Sequence, residues 1–146
     1  MTLVAGGFLE VLQDHVADNS GLGFVVGTNF TIGQSPDPIQ DFPTILAATR
    51  NRLTIYESSG TLTRFSRRIH QERTFRFVHR GDHPQDAVNR AWDLVEWFEN
   101  ESLHVTLTSF TYRFLRTATS PTIVASSEDG SALADHNMTL LVFSKV

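Results

Sequence analysis

Apolar residues recur at helical spacing in two stretches of the 146-residue chain. In the first, Val4, Phe8, Val11, Leu12, His15 and Val16 lie three or four positions apart. This predicts an amphipathic helix over residues 2–18, capped by Thr2 and stopped by Asn19, Ser20 and Gly21. In the second, Ala87, Val88, Ala91, Leu94, Val95 and Phe98 form one stripe with Trp92 at its edge. Asp82, Pro84 and Gln85 supply a capping-box start, and this helix is expected to end near Asn100. Trp97 falls roughly 130° from the stripe's centre at ~100° per residue. One reading lays it over neighbouring Arg stems; the favoured one makes it a subunit contact, because aromatic residues are enriched at interface cores.

Elsewhere the pattern is that of strands. Residues 24–26 and 30–32 are short strand candidates, and Thr44 to Thr49 and Arg52 to Tyr56 are β-prone, ending at a turn of Ser58, Ser59 and Gly60. The stretch SPDPIQDFP (35–43) reads as a loop, since its prolines cannot sit in a central strand. Residues 61–71 show little period and much Arg, which predicts an extended arm or loop. Arg73 to Arg80 alternates strictly: Phe75, Phe77 and His79 face one way, and Thr74, Arg76, Val78 and Arg80 the other. Residues 103–109, 110–116, 122–125 and 137–146 are further strands, with a hairpin turn at Glu128, Asp129, Gly130 and Ser131. The order predicts one α+β domain over residues 1–146. A mixed, mostly antiparallel β-sheet carries the N-terminal and central helices on one face, plus an extended Arg-rich loop or arm.

Composition narrows the function. There is no cysteine, which excludes disulfides, thiolate metal sites and a cysteine nucleophile. No apolar run approaches the ~18–20 residues of a membrane span, and the start lacks the features of a signal peptide. The chain is therefore expected in a cytosol, away from membranes. The net charge of −4 hides a segregation: residues 1–49 carry −5, residues 50–80 carry +6, and residues 81–146 carry −5. Eleven of the 12 basic residues are Arg, and Arg suits interface ion pairs through its planar, weakly hydrated fork. Arg64, Arg67 and Arg68 are accordingly assigned to a contact with the acidic remainder of an identical neighbour, while Arg76 and Arg80 read as a solvated strand face.

Chemical motifs are scarce. His79 and His83 are four apart, but Gly81 and Pro84 deny them the shared helix that a metal-ligand pair needs. Gly21, Gly23 and Gly27 have the wrong spacing for a dinucleotide loop. Asp37, Asp41, Asp82 and Asp86 offer carboxylates for acid–base work, yet turns and caps account for them equally well. No catalytic, cofactor-binding or metal-binding residues are assigned, and the chain is read as a non-enzyme without a cofactor.

Four pieces resemble the tail terminator proteins of long-tailed bacteriophages, a group also labelled minor capsid or tail-completion proteins. They are the N-terminal helix with PDPIQDFP, the strand and turn LTIYESSG, the strand–break–helix RTFRFVHRGDHPQDAVNRAWDLVEWFEN, and the closing SPTIVASSEDGSALADHNMTLLVF. Where that family's last hairpin often reads Asp-x-x-Gly-Arg, Ser131 follows Gly130 here. The resemblance implies a structural virion protein, assembled in the host cytoplasm, that forms a ring of about six copies on the head-proximal end of the tail tube. Its partners would be copies of itself, the tube protein and the head-completion or connector protein, with DNA passing through the lumen without specific binding. On this reading Pro36, Asp37, Pro38, Glu128, Asp129 and Gly130 form partner-docking loops. Alternatives are another small neck protein, an enzyme with an acidic pocket around Asp37 and Asp41, and a nucleic-acid-binding module centred on residues 64–80.

Overall fold

In the computed structural model the backbone is described for residues 5–33, 38–48, 50–65, 68–101, 105–107 and 110–144, and side chains within these apart from 5–6, 58–65, 68–70 and 144. The elements are α1 (Ala5–Asn19), β1 (Phe30–Ile32), α2 (Pro38–Leu46), β2 (Arg52–Phe65), β3 (Arg68–Gly81), α3 (Pro84–Glu99), β4 (Val105–Thr106), β5 (Phe110–Ser126) and β6 (Ala132–Ser144). They form an α+β fold around one six-stranded sheet of order β1-β2-β3-β6-β5-β4. Among the described strand pairs β1–β2 is parallel and the others are antiparallel.

The alternation in β3 sorts the two faces. Phe75 and Phe77 join Leu53, Ile55, Met138, Leu140 and Tyr112 in a core closed by Phe8, Leu12 and Val16 of α1 and by Leu94, Val95 and Phe98 of α3. The N-terminal and central helices thus share one face, as the apolar stripes predict. On the opposite face Val78, Tyr56 and Leu133 pack against Ile45, with Phe42 and Leu46 alongside. That face belongs to α2, in a stretch that reads as a loop followed by a β-prone run. The correction has a physical reason. Pro38 stands at the helix's first position, where no N–H is needed. Phe42, Ile45 and Leu46 then share a face at helical spacing, and burying them outweighs the hydrogen bond lost at Pro43.

Other boundaries move as well. Residues 24–26 hold only an isolated bridge between Val26 and Phe30. Ser58, Ser59 and Gly60 form a bulge instead of a turn, so β2 continues and pairs with β3 as far as Phe65 opposite Arg68. The expected arm is therefore a regular two-stranded hairpin. Residues 110–116 and 122–125 merge into β5, which bends through four register shifts against β6. The strand expected over residues 103–109 is described only at Val105–Thr106, and Thr2 lies outside the described residues.

α3 begins without the expected cap. His83, not Asp82, is the N-cap residue and makes no side-chain cap bond; Asp82, one position earlier, is engaged by the guanidinium of Arg80 at 2.8 Å. The strand-to-helix passage is very tight at Gly81, where a Cβ would lie 2.6 Å from the Ala87 nitrogen and 3.0 Å from its Cα. Both obstacles are backbone of α3. Gly81→Ala is expected to lower the unfolding free energy by about 1–3 kcal/mol, the usual range for overpacking, read as a lower urea midpoint at unchanged slope.

Candidate functional site

The Arg-rich stretch is two structures. At its root, each Arg of β3 meets a carboxylate of its own chain. Arg73 grips Glu57 with both Nε and Nη2, its guanidinium carbon 5.0 Å from the Phe8 ring centre and 5.6 Å from that of Phe75. Arg76 pairs with Asp135 and lies over Phe42 at 5.3 Å. Arg80 donates to the Leu46 carbonyl at the end of α2 and to Asp82. Arg80 is 5% exposed, so the solvated face expected for Arg76 and Arg80 is corrected: α2 covers it, and the guanidinium of Arg80 satisfies a helix C-terminal carbonyl. These three cations are neutralised inside the protomer.

Among the described residues β6 pairs with β3 as far as His70, and the rungs from Arg64 opposite Ile69 to Phe65 opposite Arg68 belong to β2 and β3. Arg64 and Arg68 lie there in the backbone, and Arg67 lies outside the described residues. Of the positive block, Arg64 and Arg68 thus lie near the end of the hairpin, while Arg73, Arg76 and Arg80 are held in internal ion pairs. Sequence reasoning missed the partition because Glu57, Asp82 and Asp135 are distant from their Arg partners along the chain or were assigned other roles.

The proposed docking loops separate. Pro38 opens α2, while Pro36 and Asp37 lie outside the described residues. The Glu128-Asp129-Gly130 turn is built by its own chemistry: Gly130 has φ +97°, and the Asp129 carboxylate accepts from the N–H and hydroxyl of Ser131 at 2.9 and 2.7 Å. The Ser131 hydroxyl, followed by its backbone N–H, holds the Asp129 carboxyl below its ordinary pKa. This turn meets the far end of α2, not Pro38, across a groove of about 690 Å³ lined by Pro43, Leu46, Ala48, Arg80, Ser127 and Asp129. Trp97 is half-buried, its ring centre 4.8 Å from Phe98 and 5.6 Å from His15. It joins α3 to α1 within the protomer, and Trp92, at 47% exposed, is the more open of the two tryptophans.

Two titratable clusters were not read from the sequence. Glu101 accepts from the Tyr112 hydroxyl and bonds His15 Nε2 at 2.9 Å, tying α1, the end of α3 and β5 together. Burial, then the Glu101 carboxylate, push the Tyr112 pKa above its usual value, so Tyr112 serves as a hydrogen-bond donor at neutral pH. Tyr56 behaves alike, donating to Asp41 at 2.7 Å with its pKa raised by burial and by that carboxylate. Asp41 is therefore committed to joining α2 to the sheet. The second cluster is His79 and His136, fully buried, with Nε2 atoms 2.9 Å apart and rings stacked at 5.0 Å. Among the described residues, no group of three or more His, Cys, Asp or Glu is placed to hold a metal ion, and no helix is long and apolar enough to cross a membrane. Neither protein-family models nor curated proteins yield a match to this chain.

Proposed function

We propose that the chain is a structural subunit of a long-tailed phage virion: a tail terminator that closes into a ring, of about six copies, at the head-proximal end of the tail tube. The observation that carries this reading is the hairpin. A sheet covered by helices on both faces carries the β2–β3 hairpin at one end, and the backbone places Arg64 and Arg68 near its tip, apart from the Arg73, Arg76 and Arg80 ion pairs. An acidic neighbour of the same sequence complements it. Ring closure requires a heterologous contact, one surface meeting a different one on the next copy, and a basic tip against acidic flanks supplies such a pair. The ring would end tube growth by covering the open end, present its other side to the connector, and pass DNA through an acidic lumen that does not hold it.

The geometry favours this over the other classes. Asp41 and Tyr112, the groups an acid–base mechanism would recruit, are locked in hydrogen bonds that join helices to the sheet. A phosphate-binding surface over residues 64–80 loses Arg73, Arg76 and Arg80 to internal carboxylates. Negative-stain imaging of the full chain is expected to show closed rings of about six subunits. Arg67→Glu combined with Arg68→Glu should open or dissociate them, while an unchanged particle would remove the Arg tip from the ring contact.

A further inference from the structure

Two arginines outside the positive block take no part in the internal ion pairs. Arg113 and Arg116 are exposed on β5, which carries no carboxylate from Phe110 to Ser126. They stand opposite Leu141 and Thr139 of β6. Val142, Leu140 and Met138, which alternate with these two, belong to the core closed by α1 and α3, so Arg113 and Arg116 are on the other face of the sheet. α2 packs on that face at Tyr56, Val78 and Leu133 and leaves both arginines exposed. Among the described residues neither enters an ion pair, even with Glu72 across Leu141.

The outer side of α1 has the opposite charge. Glu10, Asp14 and Asp18 are exposed and follow one another at four-residue steps. They form a line roughly 160° around the helix from Phe8, Leu12 and Val16, at ~100° per residue. α1 holds no Lys or Arg, and none of the three carboxylates enters an ion pair among the described residues. Like charges one turn apart destabilise a helix. Asp18, in the last turn, also adds a negative charge at the negative end of the helix dipole. A cation from outside the protomer relieves both.

We infer that Arg113 and Arg116 of one copy dock on the Glu10–Asp14–Asp18 line of the next. The spacings agree. The two arginines are separated by the two-residue step from Leu141 to Thr139, about 7 Å along a strand. Successive carboxylates of the line are one turn apart, about 6 Å along a helix. Each guanidinium therefore meets its own carboxylate, in the planar, bidentate geometry that suits Arg. The two surfaces lie on opposite sides of the sheet and look away from each other, so the contact passes from copy to copy. It is heterologous, as a ring requires. This inference deepens the ring reading by naming the surfaces that meet, and it rests on that reading for closure alone. A DNA duplex would also attract two exposed arginines, but it is repelled by the acidic line and leaves that line unpaired.

Charge reversal on both surfaces tests it. One full chain carries Arg113→Glu with Arg116→Glu; a second carries Glu10→Arg, Asp14→Arg and Asp18→Arg. All five positions are exposed, so far-UV circular dichroism of both chains should match the parent. In sedimentation velocity at micromolar concentration each variant alone should fall from the parent mass to the monomer. An equal mixture should regain the parent mass, because every reversed surface then finds its complement on the other chain. Arg116→Glu and Asp14→Arg are the milder pair, each expected to weaken association about tenfold by setting like charges together. Parent mass kept by either multiple variant, no weakening in the milder pair, or a mixture that stays dissociated overturns the contact, and so does a monomeric parent. Rings that survive both reversals keep the ring and remove this contact. A parent assembly of another shape that dissociates and recovers as described keeps the contact and removes the ring.

Discussion

Phe8→Ala is expected to lower the unfolding free energy by about 3–5 kcal/mol, a large fraction of what holds a domain of this size together. Phe8 is fully buried and is the side chain through which α1 grips the sheet. Its ring meets Phe110 edge-on at 5.2 Å, Phe75 at 5.7 Å and Tyr112 at 6.1 Å. These rings come from β3 and β5, so truncation opens a cavity that no single element can close. It also removes the aromatic surface beneath the Arg73 guanidinium, leaving a buried ion pair beside a void. Urea unfolding of the full chain should show the midpoint falling with little change in slope. A loss below about 1 kcal/mol would mean that α1 does not close this core.

Acidification is the second large effect. His79 and His136 share one Nε2 contact, so one ring donates and the other accepts, and the accepting ring must carry its proton on Nδ1. Both Nδ1 atoms are buried, with no hydrogen-bond partner among the described residues. Phe77 stacks on His136 at 5.2 Å, Phe24 lies 6.3 Å from His79, and Arg90 of α3 is the cation whose field reaches His79. Burial, then the neighbouring His136 and Arg90, hold the His79 pKa well below its ordinary value; burial holds that of His136 at about 3. In the unfolded chain both titrate near 6.5. Between that value and the folded-state pKa values, the unfolded state binds more protons. Stability is therefore fully present above pH 6.5 and lost as pH falls, the folding equilibrium dropping about tenfold per pH unit for each histidine. Urea midpoints at pH 7, 5 and 4 should decline steeply, and His79→Leu combined with His136→Leu should flatten the decline. An equally steep decline in the double variant would contradict the assignment of the acid sensitivity to this histidine pair.

What the sequence revealed follows from where burial is one-sided. α1 and α3 each press one stripe on one face of the sheet, so their apolar periods are plain. β3 lies between two layers that differ in chemistry, and its aromatic and Arg positions alternate accordingly. α2 was hidden because its prolines speak against a helix, while its anchoring residues Phe42, Ile45 and Leu46 make sense only once Tyr56, Val78 and Leu133 are beneath them. The hairpin from Ser58 to Gln71 was hidden because Ser, Ser and Gly mark a bulge as readily as a turn. The partition of the Arg block was illegible for another reason. Arg73, Arg76 and Arg80 look alike along the chain, and only the strand register brings Glu57 and Asp135 to the first two, while the end of α2 with Asp82 takes the third. The His79–His136 pair, likewise, joins residues of two strands 57 positions apart.

If the proposed ring forms, the chain meets copies of itself, and native mass spectrometry of the full chain at micromolar concentration reads that assembly in one spectrum. A closed assembly of about six copies is expected. A monomer at every concentration measured would contradict it.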